Sequence, residues 1–161
     1  MHGYAQTDDD EFLRCYFTPR FYTVIGQYNG VGLDLDFEDK IVDGLYIKAN
    51  IGLYYSPASY HMVGTEFAIA LKYQFTPYLF ALFDMQPNMR LQGISHQVNG
   101  DYMTFYVRSG LGVGVNWDIS KEHQVYIEAK GCTDIVLLDE THQHNEGLYV
   151  MLGIGYKYRF F

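Results

Sequence analysis

The sequence predicts an eight-stranded antiparallel transmembrane β-barrel, an all-β fold that crosses the membrane with its strands. The 161 residues are 48% apolar and 17% aromatic, yet the longest unbroken apolar run is the six residues Tyr78–Phe83. A transmembrane helix needs about 18 apolar residues in succession. Apolar residues at alternate positions are instead typical of a barrel wall that faces lipid. Eight such alternating segments follow one another along the chain.

The first four segments are predicted from this alternation. Their outward residues fall at every second position of Leu13–Ile25, Val31–Phe37, Leu45–Tyr55 and Phe67–Phe75. Tyr28-Asn29-Gly30 supplies a tight turn after the first strand. The second strand is short for a bilayer and is followed by a predicted polar turn at Glu38–Asp43.

The last four segments follow a turn at Thr76-Pro77. The fifth, Tyr78–Gln86, is apolar on both faces; Leu79, Ala81, Phe83 and Met85 are placed outward because Asp84 then faces inward. A long polar loop is predicted at Pro87–Asp101, a turn at Asp118–His123 and a second long loop at Leu138–Gly147. The remaining outward faces run through Met103–Trp117, Val125–Leu137 and Leu148–Phe160.

The charged residues distinguish the outward face of the predicted strands from the inward face. No outward position is charged, and a Lys or Arg at mid-bilayer would cost about 2–4 kcal/mol. The inward acids are Asp34, Asp36, Glu38, Glu66, Asp84, Asp118, Glu128 and Asp134. The inward bases are Arg14, Arg20, Lys48, Lys72, Arg108, Lys130, Lys157 and Arg159. Eight acids against eight bases predict a neutral lumen plugged by ion pairs, since an eight-stranded barrel is filled by its own side chains.

Specific pairs are expected from adjacency of the strands. Arg14 and Arg20 are expected to meet inward acids, with Asp34 and Asp36 as the nearest candidates. The same is expected of Lys157 and Arg159, with Glu128 and Asp134 available to them. Cys15 falls on the lipid-facing phase and Cys132 on the lumen phase, so no disulfide between them is expected. The glycines Gly110, Gly112 and Gly114 face inward and are interpreted as leaving room for long Arg and Lys side chains.

An even number of strands places both chain termini on the periplasmic side and the longer loops outside. An aromatic girdle is then predicted at the periplasmic interface, formed by Phe37, Tyr73, Phe75, Trp117, Tyr158 and Phe160.

Residues 1–11 are predicted to form a flexible acidic tail and residues 12–161 the barrel domain. Gly3-Tyr4-Ala5 has the small residues of a signal-peptidase site, so residues 1–5 are either a signal-peptide remnant or an ordinary N-terminus.

The C-terminal segment Gly153–Phe161 resembles the closing strand of small outer-membrane barrels such as OmpX and the OmpA membrane domain. Its aromatic residues resemble the signal read by the barrel-assembly machinery: Tyr156, Tyr158, Phe160 and Phe161. The alternating face ends at Phe160, so Phe161 lies one residue beyond it. The resemblance implies that the protein lies in the outer membrane of a Gram-negative-type bacterium. Lipid and lipopolysaccharide would surround it there.

Three functional classes remain open from the sequence. The favoured one is a non-enzymatic barrel acting as structural element, loop-mediated binder or accessory subunit of a membrane complex. The second is a narrow channel for small or apolar solutes, which the balanced lumen disfavours. The third is a lipid A deacylase or acyltransferase, suggested by Ser95-His96, although adjacent residues of an extended chain point apart and no carboxylate is assigned to them.

Cofactors and nucleic acid are not expected. His142-Gln143-His144 is interpreted as a plain polar loop rather than a metal site. The net charge of −8, from 11 basic and 19 acidic residues, argues against a nucleic-acid partner.

Overall fold

The chain forms a closed eight-stranded antiparallel barrel in the computed structural model, in which residues 15–26, 29–57, 62–92, 102–120, 122–139 and 147–160 are described. Each strand pairs with its neighbours in sequence, and the first pairs with the last. The strands are β1 (Cys15–Ile25), β2 (Gly30–Val42), β3 (Leu45–Ser56), β4 (Met62–Gln74), β5 (Leu79–Gln92), β6 (Tyr102–Asp118), β7 (His123–Asp139) and β8 (Leu148–Phe160). The predicted fold class is confirmed.

Residues 1–14 lie outside the described part of the chain, and with them the predicted acidic tail and Arg14. Ser95, His96 and the segment His142–His144 also lie outside it. Within the described residues, no helix is long and apolar enough to cross a membrane.

The two faces of the wall differ as a membrane barrel requires. Outward side chains stay exposed, with Leu33 at 59% and Leu111 at 68%, whereas the inward Asp34 is 1% exposed and Arg108 is fully buried. A soluble barrel would show charges outside and apolar residues within. The apolar outer surface and charged interior are instead the arrangement that lipid stabilises.

The turn predicted at Glu38–Asp43 is wrong, because β2 continues to Val42. Only Asp43 and Gly44 form the turn, and Gly44 takes the left-handed φ of 76° that a tight turn requires. Within this segment Glu38 faces the lumen, whereas Asp39 takes an outward position opposite Ile47. The expectation that no outward position is charged is therefore wrong at Asp39, which lies three residues before the end of β2.

The loop predicted to begin at Pro87 is also wrong, because β5 continues through that proline to Gln92. Proline usually ends a central strand because it cannot donate to the ladder. Here the pairing with β6 is continuous through Pro87↔Val107. The pairing with β4 is interrupted instead, since it stops at Glu66↔Asn88 and resumes at Ile69↔Met85.

Other strand ends differ by a few residues. β4 begins at Met62 rather than near Glu66, and β7 runs to Asp139 with a bulge opposite Phe105 and Tyr106. The phase predicted for β5 is confirmed, because Asp84 is 2% exposed whereas its neighbours Phe83 and Met85 are exposed.

The three inward glycines of β6 leave room for larger inward side chains. A Cβ on Gly110 would lie 2.4 Å from Asp84 Oδ1, and one on Gly112 would lie 2.5 Å from Lys130 Cγ. A Cβ on Gly114 would lie 2.1 Å from Phe80 Cζ and 2.7 Å from the Ile127 carbonyl oxygen. These glycines therefore allow neighbouring strands to project long side chains across β6.

Gly114→Ala should destabilise the barrel by about 1–3 kcal/mol, the usual cost of overpacking a filled interior. The backbone carbonyl of Ile127 cannot rotate away as a side-chain tip could, so the wall itself must shift. The free energy of unfolding in urea, measured in lipid vesicles, tests this. The control is Gly131→Ala, because a Cβ on Gly131 meets nothing within 4 Å. Equal effects of the two substitutions would contradict the prediction.

Candidate functional site

The candidate site is the charged lumen. Its described members are each at most 5% exposed: the acids Asp34, Asp36, Glu38, Glu66, Asp84, Glu128 and Asp134, and the bases Arg20, Lys48, Lys72, Arg108, Lys130 and Lys157. Asp118, expected among the inward acids, is exposed at the end of β6 and accepts a hydrogen bond from Gln124 instead. The side chain of Arg159 lies outside the described residues.

Arg20 forms the centre of a middle cluster. Its Nε donates to Asp34 Oδ2 at 3.0 Å, and its terminal nitrogens contact Asp34 and Glu128. Asp34 is its direct register partner on β2, whereas Glu128 lies two strands away on β7. The intervening β8 presents Gly153 beneath this contact, where a Cβ would lie 3.2 Å from Glu128 Cγ and 3.4 Å from Arg20 Cδ.

Lys48 links a second acid to the same cluster. Its Nζ lies 2.7 Å from Asp36 Oδ2 and 3.7 Å from Glu128 Oε2. The Tyr126 hydroxyl donates to Asp36 at 2.7 Å. Of the two acids that are candidates for Arg20, Asp34 is the one it contacts, because Asp34 lies directly opposite Arg20 in the register, and Asp36 pairs with Lys48.

Lys130 and Asp84 continue the middle cluster. Lys130 Nζ lies 2.6 Å from Asp84 Oδ2 and 3.9 Å from Glu128 Oε1. Gln86 Nε2 donates to the same Asp84 oxygen at 2.9 Å. Glu128 thus lies within 4 Å of three cations contributed by β1, β3 and β7.

A terminal cluster lies toward the end of the barrel where β1 begins and β8 ends, here called the terminal end. Glu38 accepts from Lys72 Nζ at 2.8 Å and from Lys157 Nζ at 2.9 and 3.0 Å. The expectation that Lys157 would meet Glu128 or Asp134 is wrong. Its register partner on β7 is Gln124, four positions from Glu128, so the acid within reach is Glu38 on β2.

An outer cluster lies toward the opposite end, here called the loop end. Arg108 Nη1 lies 2.6 Å from Glu66 Oε1, and its Nε lies 3.2 Å from Asp134 Oδ1. The hydroxyl of Tyr22 donates to Glu66, and that of Tyr149 donates to Asp134. Each carboxylate therefore receives both a charged and a neutral donor.

Sequence reasoning puts Tyr22, Tyr126 and Tyr149 on the inward face but gives them no role in the network. All three are buried and donate to lumen carboxylates. Their role could have been predicted from their inward positions near inward acids. A buried hydroxyl requires a hydrogen-bond partner, and a carboxylate supplies one.

Those predicted girdle residues whose side chains are described lie on the outer face toward the terminal end. Phe37, Tyr73, Phe75 and Trp117 are about half exposed, and edge-on ring contacts join Phe37 to Phe17 at 5.6 Å and Tyr73 to Phe75 at 5.0 Å. Of the predicted assembly signal, Tyr156 and Tyr158 lie beside His123 with ring centroids 5.7 and 5.2 Å away. The side chain of Phe160 and all of Phe161 lie outside the described residues.

The described side chains of the lumen join strands to one another across the barrel. Its three clusters lie at successive levels and each joins strands that are not neighbours. The described residues contain no group of three potential metal ligands. Cys132 is a free, buried thiol, in agreement with the expectation that it is not bonded to Cys15.

The sequence matches no family model and no curated protein. The fold is similar to that of Neisserial surface protein A, with a TM-score of 0.64, 11% identity and coverage of 92% of this chain and 97% of that chain. It is also similar to a major outer membrane protein of Thermus thermophilus, with a TM-score of 0.56, 14% identity and coverage of 91% and 99%. These similarities confirm the fold of a small transmembrane β-barrel of the outer-membrane type.

Proposed function

We propose that this protein is an integral protein of the outer membrane of a Gram-negative-type bacterium, with a closed lumen. It acts through its outer surface and loops, as a structural element, a loop-mediated binder or an accessory subunit of a larger membrane complex. The barrel-assembly machinery inserts it, and lipid and lipopolysaccharide surround it. The fold shared with outer-membrane proteins supports the location.

The interlocked lumen charges are the observation that carries the proposal. The Arg20–Glu128 and Lys157–Glu38 contacts join strands on opposite sides of the seam where β1 meets β8. The Arg108–Glu66 contact connects β6 with β4 at another level. Side chains that reach one another across an eight-stranded barrel support an interior occupied by protein rather than by solvent.

The even strand count orients the protein. Both termini of such a barrel lie on the periplasmic side, so the terminal end faces the periplasm and the loop end faces outward. The half-exposed aromatic residues Phe37, Phe75 and Trp117 then lie at the inner interface, where amphipathic rings favour the headgroup region.

Purified protein in a planar lipid bilayer should show no steady single-channel conductance at neutral pH. The physical reason is that ions would have to displace buried charges held by contacts such as Lys130–Asp84 at 2.6 Å. An open porin in the same bilayer serves as the positive control. Steady, large conductance steps would overturn the closed lumen and favour the narrow-channel alternative.

Mass spectrometry of lipid A after expression of the protein separates the proposal from the enzyme alternative. An unchanged acyl-chain pattern is the expected result. Loss or gain of an acyl chain that disappears in a Ser95→Ala, His96→Ala variant would replace the proposal with lipid A modification.

A further inference from the structure

Asp39 is the one Asp, Glu, Lys or Arg at an outward position of the strands among the residues that the structure describes. It lies opposite Ile47 of β3, which is 41% exposed. Along β2 it follows Phe37 and precedes Ile41 and Val42, all of which are about half exposed. The apolar outer surface therefore continues beyond Asp39 toward the terminal end, and the carboxylate lies within that surface rather than at its edge.

The aromatic girdle indicates the level of Asp39 in the bilayer. Phe37, two residues earlier on the same face, belongs to the girdle, and its ring contacts that of Phe17 with the centroids 5.6 Å apart. Two residues of a strand span only about 7 Å. Girdle rings lie where the hydrocarbon meets the headgroups. Asp39 is therefore within reach of the headgroups of the leaflet at the terminal end.

No cation among the described residues faces the Asp39 carboxylate. Its Oδ1 has no hydrogen-bond partner among them, although the side chain as a whole is partly exposed. The next residue, Lys40, takes the inward position opposite Tyr46, and its Nζ lies 2.7 Å from Asp43 Oδ1. An aspartate has a single methylene, so it cannot carry its charge past neighbouring apolar side chains as Lys and Arg do. Its counter-charge must come from outside the chain.

We propose that Asp39, with the ring of Phe37 beside it, binds the primary ammonium headgroup of a phospholipid in the leaflet at the terminal end. A primary ammonium donates charge-assisted hydrogen bonds to a carboxylate and is also attracted to an aromatic face. Both groups lie on the outer wall at the level where such headgroups are found. The proposal rests on the membrane location proposed above but not on the closed lumen.

Native mass spectrometry of the purified protein tests this selectivity. The protein is mixed with equal amounts of phosphatidylethanolamine and phosphatidylcholine that carry the same acyl chains. The choline headgroup keeps the positive charge but has no N–H to donate. Phosphatidylethanolamine should bind about two- to fivefold more tightly, the range that a partly exposed ion pair provides.

Two variants of Asp39 should abolish the preference. Asp39→Asn keeps the shape of the side chain and removes its charge, and Asp39→Leu continues the apolar wall. Asp43→Asn is the matched control, because it removes an acid that lies at the same end of the barrel and is 95% exposed in its ion pair with Lys40. This control should leave the preference unchanged.

Equal binding of the two lipids, a preference that persists in both Asp39 variants, or an equal loss in Asp43→Asn would each overturn the proposal. Displacement of the lipid by soluble phosphoethanolamine would assign the site to a free solute and reject the lipid. Carbodiimide cross-linking of Asp39 to an amine of a second protein in membranes, without any lipid preference, would assign the carboxylate to a protein partner. A protein that retains neither lipid would overturn the membrane location itself, whereas equal retention of both overturns only this inference.

Discussion

Arg20→Met should lower the free energy of unfolding by about 3–5 kcal/mol, the cost of leaving a buried charge without its partner. The guanidinium is 1% exposed and contacts both Asp34 and Glu128. Met keeps most of the volume of the side chain, so the loss reports the charge rather than a cavity. Glu128 retains Lys48 and Lys130 within 4 Å, whereas Asp34 loses the cation that it contacts through two guanidinium nitrogens.

The measurement is urea unfolding of the barrel in lipid vesicles, followed by tryptophan fluorescence of Trp117. Asp43→Asn provides the control, since it breaks an ion pair with Lys40 in which the Asp43 side chain is 95% exposed. That substitution should leave the unfolding midpoint unchanged. Adding Asp34→Asn to Arg20→Met should recover part of the lost free energy of unfolding, because it removes the negative charge that has no cation beside it. An Arg20→Met protein as stable as Asp43→Asn would show that the middle cluster is solvated.

Glu38→Gln should also lower the free energy of unfolding by about 3–5 kcal/mol. Here the cost arises because two buried cations are left without an acid. Lys72 and Lys157 approach Glu38 from β4 and β8 and are both at most 3% exposed. Gln has nearly the same shape as Glu, so packing is retained while the negative charge is lost. The two ammonium groups then face each other without compensation.

The same unfolding experiment measures this loss, with Asp118→Asn as the control because Asp118 is an exposed acid near the same end of the barrel. The double variant Glu38→Gln, Lys157→Met should be more stable than Glu38→Gln alone. If it is less stable, the Lys157 ammonium contributes more through its contacts with the rings of Tyr16 and Tyr126 than it costs when its acid is removed.

Alternation predicts which face each residue occupies but not which residues meet. It places Asp84 inward, together with every basic residue of the described lumen, and the structure agrees. It misses the partner of Lys157 because pairing across a barrel depends on register and strand tilt, which a period of two residues does not encode. Side chains as long as Lys and Arg also reach past an adjacent strand, as Arg20 does over Gly153.

Strand ends are the least predictable feature, and Pro87 shows why. Proline is a sound signal for a loop in an open sheet, since it removes a ladder hydrogen bond. At Pro87 the ladder hydrogen bond is lost toward β4 only, because Pro87 retains Val107 of β6 as its register partner. Pairing with the continuous strand β6 therefore keeps this segment in β5, although the proline by itself predicts a loop.

The long sequence separation of the lumen contacts constrains the order of folding. Arg20 meets Glu128 across 108 positions, and Glu38 meets Lys157 across 119. An intermediate that has inserted only the first strands holds Arg20 and Glu38 without these late partners, and closing so long a chain costs entropy before the contacts can form. Intermediates that lack β7 and β8 hold Arg20 with Asp34 and Glu38 with Lys72 alone, so the last two strands add the contacts that favour closure.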